Sequence, residues 1–377
     1  MPNDYLTHVV VLGSATAAAL APPTRPRPLA RAAFLAGMVV NEVPHLVLAL
    51  LAASTATAIW TQDLRRDALS GVLLAGGAAT AVMLIVLTHR ATRSRSAARA
   101  ALRAAGIDRT LTRRRWWRTA LTPLPFRPRS VQRLRNLRYG EHRRQRLDVL
   151  QRRDRPTGGP VLVYFHGGGY FSGSKNWEGQ ALLHHLAARG WVCVSATYRL
   201  RPKAGFEEHL ADAHAAMAWA RTHAGEYGAD PSTVVMAGSS AGAHLTSLYA
   251  LRASPDERPV AAVCLYGYYG RYYGRGTEET VVSTPFALPA PHAPAFLIAH
   301  GTRDNYTSAV PARELADKLR DESSQPVVHV ELPGGQHAFD LVSSWRLTAV
   351  IDTLDALLAD IGLGPARGPQ RRRTRRV

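Results

Sequence analysis

Between Val161 and Ile361 short apolar runs alternate with helical patterns, and that alternation confines the chain to an α/β arrangement. Val161 to Phe165, Val192 to Tyr198, Val234 to Ala237, Ala261 to Tyr266, Phe296 to His300 and Val327 to Leu332 are rich in valine, leucine and aromatics. They read as strands buried on both faces. A shorter strand, Gln145 to Leu150, follows the turn at Tyr139-Gly140. Helical patterns fill the intervals at Trp177–Arg189, Glu207–His223, Ala241–Arg252, Ala309–Glu322 and Ser343–Ile361. Residues 132–364 are therefore expected to form one domain of ordinary size, a mostly parallel sheet flanked by helices.

The residues with chemistry stand at the C-terminal ends of these strands, where open α/β sheets place their sites. The strand ending at Ala237 runs into Gly238-Ser239-Ser240-Ala241-Gly242 and then a helix. Glycines on either side of the serines permit a sharp strand-to-helix turn, and the helix N-terminus favours negative charge. By itself the motif reads equally well as a glycine turn. Val161–Phe165 ends in His166-Gly167-Gly168-Gly169, 74 residues before Ser240. Consecutive glycines let backbone N–H groups face a cavity, and two of them with the N–H of Ala241 would hold an oxyanion. A phosphate loop is the rival reading. It lacks the required lysine followed by Ser or Thr, because Lys175 arrives six residues on with Asn176 after it.

Two further strands end in Gly301-Thr302-Arg303-Asp304 and in Pro333-Gly334-Gly335-Gln336-His337. A serine hydroxyl attacks poorly until a neutral imidazole takes its proton, and a carboxylate fixes the tautomer of that imidazole. Serine, acid and histidine thus occur at strand ends in the order Ser…Asp…His. Each is weak alone, and together they specify one chemistry.

At these residues the chain resembles the α/β-hydrolase fold, in its hormone-sensitive-lipase-like branch of bacterial carboxylesterases and lipases. His166–Gly169, Gly238–Gly242, Asp304 and His337 carry the resemblance. The framing segments Asn136–Gly140, Gln145–Val149, Gly173-Ser174-Lys175, Ala196–Arg199 and Gln336–Phe339 are also similar to isoprenylcysteine methylesterase-like relatives. The likeness covers about residues 133–360, and a membrane anchor ahead of such a domain resembles arylacetamide deacetylases. It implies Ser240 as nucleophile, His337 as base, Asp304 as its orienter, and Gly168, Gly169 and Ala241 as oxyanion donors. It implies no metal and no organic cofactor. Ser239 stands where that branch usually has an acid, and its usual proline-containing run before the triad acid is missing around Asp304. The same resemblance separates the strands of Cys193 and Cys264 by two others, so they would lie about 14 Å apart, too far to bridge.

The front third is different in kind. Ala68 to Thr88 holds 21 residues without a charge, enough to cross about 30 Å of hydrocarbon. Upstream, Ala32 to Trp60 contains one acid, Glu42, with Pro44 permitting a kink or a re-entrant start. Residues 1–131 are accordingly expected to be a transmembrane hairpin, with spans at about 32–60 and 68–88, plus a basic juxtamembrane segment. A buried helix pair in a soluble domain is the competing reading. Arg25, Arg27 and Arg31 precede the first span and Arg90, Arg93, Arg95, Arg99 and Arg103 follow the second. Arg65 and Arg66, in the loop between the spans, are balanced by Asp63 and Asp67. The positive-inside bias then puts both ends and the catalytic domain on the cytoplasmic side. Val9 to Ala21 is apolar but thirteen residues long, and its insertion would be expected to reverse that topology.

Charge follows the same division. The chain carries a formal +19, yet residues 1–155 hold net +18, residues 156–364 net −5 and the tail 365–377 net +6. A net negative catalytic domain speaks against a nucleic-acid partner. The cluster Arg113–Arg118, with Trp116 and Trp117 inside it, suits an interfacial segment on anionic lipid, ahead of a solvated linker or a nucleic-acid arm. Two cysteines exclude a disulfide-stapled scaffold and a cysteine-built metal site. His166 is expected to organise its loop, His184 and His185 to pack or face solvent, and Tyr266–Tyr273 to line a pocket, form a flap or simply make a loop. The reading reached is a membrane-anchored serine hydrolase of carboxylic esters, with a lipid-derived ester and the anionic inner leaflet as partners. An amidase or N-deacetylase with the same triad, and a non-catalytic membrane scaffold, are the alternatives.

Overall fold

A computed structural model describes residues 2–62, 64, 67–112, 116–272 and 281–364. Asp63, Arg65 and Arg66 of the first loop, Arg113-Arg114-Arg115 of the basic cluster, Tyr273 and the basic tail lie outside the described residues.

Strands β1 (Val131–Arg138), β2 (Arg146–Arg152), β3 (Gly159–Phe165), β4 (Val192–Ala196), β5 (Ala229–Ser239), β6 (Ala261–Leu265), β7 (Ala295–Gly301) and β8 (Val327–Leu332) form a sheet in the order β1-β2-β4-β3-β5-β6-β7-β8. β1 and β2 are antiparallel to their neighbours, and the rest run parallel. The expected mostly parallel sheet is present. β1 was not foreseen, since its arginine-rich sequence breaks the apolar pattern that marks a buried strand, and it occupies a sheet edge where only part of it is buried. Register aligns the C-terminal ends: Phe165 lies opposite Gly238, Ser239 opposite Leu265, Leu265 opposite Ala299, and Gly301 opposite Leu332. The loops that follow five strands therefore meet along one edge.

Helices cover both faces. Those of α7 (Gln180–Ala188) and α11 (Trp345–Asp360) pack in one apolar cluster with Leu162, Val235, Leu297 and Val328. α8 (Phe206–His223) and α9 (Ala241–Arg252) pack on the other face with Val161, Val163 and Met236, and α10 (Val310–Glu322) continues that layer over β6 and β7. Cys193 and Cys264 are unbridged and buried, on β4 and β6 with β3 and β5 between them, as expected.

Ahead of the sheet come α1 (Pro2–Leu20), α2 (Arg27–Glu42), α3 (Pro44–Trp60), α4 (Ala68–Thr92), α5 (Ser94–Ala104) and the short α6 (Trp116–Leu121). α4 is long and apolar enough to cross a membrane and runs on into α5. The single span expected over residues 32–60 is not straight, because the chain turns by 89° between α2 and α3. Val43 precedes Pro44, and a proline disfavours the helical conformation in the residue before it. α1 lies beside α4 in the same direction: Tyr5 sits over Gly77, Gly13 over Thr80, and Arg90 donates to the Leu20 carbonyl at 3.1 Å. Small residues at these crossings let the backbones approach. The outer faces stay apolar, with Leu69, Val72, Val82 and Ile85 of α4 and Leu50 and Ile59 of α3 exposed.

One assignment is corrected. Residues 94–111 were expected in a basic juxtamembrane segment, but Ala98, Ala101, Leu102, Ile107 and Leu111 belong to the apolar cluster beneath β8 and α11. The arginines of this stretch work on the catalytic domain as well: Arg95 bonds Asp352 at 3.1 Å, and Arg109 donates to the Ala359 carbonyl at 2.8 Å. Packing against the catalytic domain thus begins near residue 94.

Candidate active site

β5 ends at Ser239 and α9 starts at Ala241, so Ser240 must reverse the chain alone, at φ 50 and ψ −114. That is a costly backbone for a residue with a Cβ, and such strain collects at functional turns. Its neighbours show why glycine flanks it. A Cβ on Gly242 would collide with the Phe165 carbonyl, and one on Gly238 with the Gly242 backbone. The amide of Ser240 donates to the Leu265 carbonyl at 2.9 Å, holding the turn against β6.

His337 and Asp304 come to this turn from the ends of β8 and β7. His337 Nε2 is 2.9 Å from Ser240 Oγ, and His337 Nδ1 is 2.7 Å from Asp304 Oδ2. The three residues expected together are therefore in hydrogen-bonded sequence, each buried or nearly so. Asp304 also accepts from the amides of Tyr306 and Thr307, each at 2.8 Å, and lies 3.2 Å from His300 Nε2. Burial alone would raise its carboxyl, but His337 and His300 outweigh that and hold it well below the usual carboxylate range. An acid so held stays ionised while it orients an imidazole. Among the described residues three aromatic rings surround that imidazole: Tyr266 at 4.6 Å, Tyr306 stacked at 5.2 Å and Phe34 edge-on at 6.1 Å between centroids.

The glycine loop after β3 lies next to Ser240. Gly168 and Gly169 have φ of 101 and 60, a region that glycine enters without strain. The Gly167 amide donates to Glu178, and among the described residues the amides of Gly168, Gly169 and Ala241 have no protein acceptor. Such donors can receive a developing oxyanion. His166 plays the organising part expected of it, bonding the Gly167 carbonyl at 2.6 Å and stacking on Tyr198 at 4.5 Å. Burial pushes its imidazole down to about 4, so it is neutral, and its ring is engaged with the Gly167 carbonyl while His337 is the imidazole that meets Ser240. His185 binds Asp355 at 2.9 Å and His184 is buried, both away from the serine. The described tyrosines of the 266–273 segment are mostly structural. Tyr266 donates to Asp340, Tyr269 is buried, and Tyr272 lies 3.0 Å from His209.

Sequence reasoning missed what flanks the triad. Asn305, next to the acid, donates to the carbonyls of Pro23 at 3.1 Å and Ala30 at 3.0 Å. Gln336, next to the base, donates to the Ala19 carbonyl at 3.0 Å. Arg346 on α11 reaches the Glu42 carboxylate at 3.0 Å and the Asn41 carbonyl at 2.6 Å, with its side chain fully enclosed. α2 thus lies across the catalytic edge, tied to it by backbone carbonyls that no sequence pattern advertises. The only sequence signal was the lone acid at Glu42 in an apolar stretch, which implied a buried partner.

A serine, an imidazole and a carboxylate in line at the C-terminal edge of a mostly parallel sheet define an α/β-type hydrolase. Residues 162–284 match the family described as alpha/beta hydrolase fold. The chain is 33% identical to the probable carboxylic ester hydrolase LipM of Mycobacterium tuberculosis, over 89% of either chain, a share that reaches into the N-terminal helices. Esterase LipC of the same organism is 35% identical over 56% of this chain and 61% of its own. The apo form of Thermogutta terrifontis esterase 2 shares the fold, with a TM-score of 0.54 at 23% identity over 64% of this chain and 99% of that one. The chain belongs to the α/β-hydrolase fold family.

Proposed function

We propose that the protein is a membrane-anchored serine hydrolase of carboxylic esters, acting through Ser240, His337 and Asp304. Carboxylesterase activity follows from its relatives, which are named carboxylic ester hydrolase and esterase. The observation that carries the assignment of residues is the unbroken line Ser240 Oγ, His337 Nε2, His337 Nδ1, Asp304 Oδ2, at 2.9 and 2.7 Å.

In the reaction His337 Nε2 takes the proton of Ser240 as Oγ attacks the ester carbonyl. Asp304 stabilises the imidazolium that forms. The amides of Gly168, Gly169 and Ala241 take up the oxyanion. His337 then returns the proton to the departing alcohol, leaving an acyl group on Ser240. Water, deprotonated by the same imidazole, removes it as a carboxylate.

The anchor reading rests on the length and apolar outer face of α4. Arg25, Arg27 and Arg31 lie near the end of the bundle that meets the catalytic domain, as does Arg90, so the positive-inside bias favours the cytoplasmic leaflet for that domain. On this reading insertion of α1 leaves that side unchanged. Because α1 and α4 run the same way, Leu20 stays at the domain end whether or not the helix crosses. With α2 over the triad, the ester would reach Ser240 from the lipid side, which favours an apolar, membrane-derived substrate. The test uses full-length protein in bilayers of anionic lipid, assayed against p-nitrophenyl butyrate and a bilayer-resident long-chain ester. Hydrolysis of both, with protein that resists alkaline carbonate extraction, supports the reading. Protein released by carbonate, or hydrolysis that persists in Ser240→Ala, would overturn the corresponding half.

A further inference from the structure

Beneath the nucleophile lies a pair of buried carboxyls that the reaction scheme does not use. Glu178 sits between β3 and α7, and one of its oxygens accepts from two groups, the Gly167 amide and the Ser239 hydroxyl. The first belongs to the oxyanion loop and the second precedes the nucleophile. A Cβ on Gly167 would lie 2.9 Å from the Ser240 Cβ and 3.0 Å from the Glu178 carboxylate, so the three elements are in contact. Asp340, three residues after His337, completes the arrangement. It accepts from the Gly179 amide at 2.9 Å, the Tyr164 hydroxyl at 2.8 Å and the Tyr266 hydroxyl. Tyr266 in turn packs its ring edge-on against His337 at 4.6 Å.

We propose that Glu178, steadied by Asp340, is a positioning residue for acyl transfer, its carboxylate fixing the oxyanion loop against the nucleophile's turn. The physical case is one of relative placement. Ser240 and Ala241 stand on the β5–α9 turn, while Gly168 and Gly169 stand on a separate loop after β3. The oxyanion hole works only if donors from both loops converge within a few tenths of an ångström. A carboxylate accepting from each loop is the shortest available tie between them, and charge-assisted bonds are the stronger kind. It also answers what replaces an acidic residue at position 239: the carboxyl arrives from Glu178 and the serine hydroxyl reaches it.

The groups facing Glu178 are Asp340, His337, Tyr164 and Tyr266. Burial, then the charge of Asp340, raises the Glu178 carboxyl to about 7, while Ser239, Gly167 and His337 pull the other way. Asp340 is also raised, chiefly by burial. Both donors bond the ionised form, so protonation of Glu178 on acidification weakens the tie and lowers kcat with it.

The inference rests on the serine-hydrolase reading, and one experiment separates the two. Wild type, Ser240→Ala, Glu178→Ala, Glu178→Gln and Ser239→Ala are assayed in full-length form for kcat and KM on p-nitrophenyl butyrate from pH 5 to 9. Turnover that disappears in Ser240→Ala secures the underlying reading. Glu178→Ala is then expected to lower kcat about 100-fold with KM nearly unchanged, the size of effect that misplacement of reacting groups produces. Glu178→Gln keeps the shape without the titration, so its acid limb should lose the Glu178 component and become shallower than that of wild type. Ser239→Ala, which loses one of the two bonds, should lower kcat by about tenfold and settles the matter if the Glu178 variants do not fold. Wild-type kcat in Glu178→Ala or in Ser239→Ala, or an unchanged acid slope in Glu178→Gln, would overturn the proposal.

Discussion

The sheet domain and the N-terminal helices handle polar and apolar groups in opposite ways. In the sheet domain the apolar residues of the central strands lie inside, and Arg133 and Lys175 enclose the buried Asp148 at 2.6 and 3.2 Å. In the helices the large apolar side chains of α3 and α4 face outward, and glycines and threonines line the crossings. The first pattern is driven by water and the second suits lipid, where helices associate by close packing. The regions are joined where they most differ, at the triad. Backbone carbonyls from the ends of α1 and α2 receive Asn305 and Gln336, and the Glu42–Arg346 pair closes the seam. N-terminal helices tied to the residues beside the acid and the base are part of the catalytic architecture.

That comparison can be broken in graded steps. The largest effect belongs to the sheet edge: Asp304→Asn leaves the geometry but loses the ionised orienter, and kcat should fall about 10⁴-fold. A fall of less than tenfold would remove Asp304 from its role. Next comes the seam. Arg346→Met strands Glu42 in a buried site, a loss of about 3–5 kcal/mol that lowers the thermal midpoint, and Glu42→Gln in the same chain should recover part of it. If the single variant melts like wild type, the two regions are not joined there.

The outer surfaces sharpen the contrast. Ile85→Arg on the exposed face of α4 should cost about 2.5–3.5 kcal/mol of insertion and increase release by alkaline carbonate. Val310→Arg, equally an exposed apolar residue but on α10 of the sheet domain, should change stability by no more than about 0.5 kcal/mol. Equal effects would show that both surfaces meet the same solvent. Smaller still, Gln336→Ala removes one bond to α1, about 1 kcal/mol and about fivefold in kcat, with binding of substrate little altered.

Much of the sheet edge was legible because its chemistry needs particular residue types at strand ends. Glycine around Ser240 and after His166 is forced by contact, and Asp304 and His337 follow strands that the apolar pattern marks. What was illegible depends on groups brought together by the fold. Glu178 and Asp340 are ordinary acids in sequence, 162 residues apart, and only the placement of Gly167, Ser239, Tyr164 and Tyr266 shows their use. The seam was hidden for a further reason, since its acceptors are main-chain carbonyls of Ala19, Pro23 and Ala30. α5 misled because its three arginines make it read as basic while alanine and leucine occupy the face that packs. The 89° turn at Val43 was anticipated only as something Pro44 allows.

A pH effect on stability separates function from folding within the sheet domain. Burial raises the folded-state pKa of Glu178 to about 7, so its contribution is fully present below its ordinary carboxylate range and is lost as pH rises through about 7; Asp340 is raised in the same direction. The thermal midpoint of wild type should therefore drop between pH 5 and 8 by more than that of Glu178→Gln. Identical slopes would show that Glu178 does not titrate in this range.

The central claim is that Ser240 is the nucleophile of a membrane-bound ester hydrolase. It is tested most directly by a fluorophosphonate probe applied to membranes carrying wild type or Ser240→Ala, with p-nitrophenyl butyrate turnover scored alongside. The account predicts one adduct, on the peptide containing Ser240, in the membrane fraction, and no labelling or turnover in the variant. A folded wild type that neither labels nor turns over, or an adduct that survives Ser240→Ala, would contradict it.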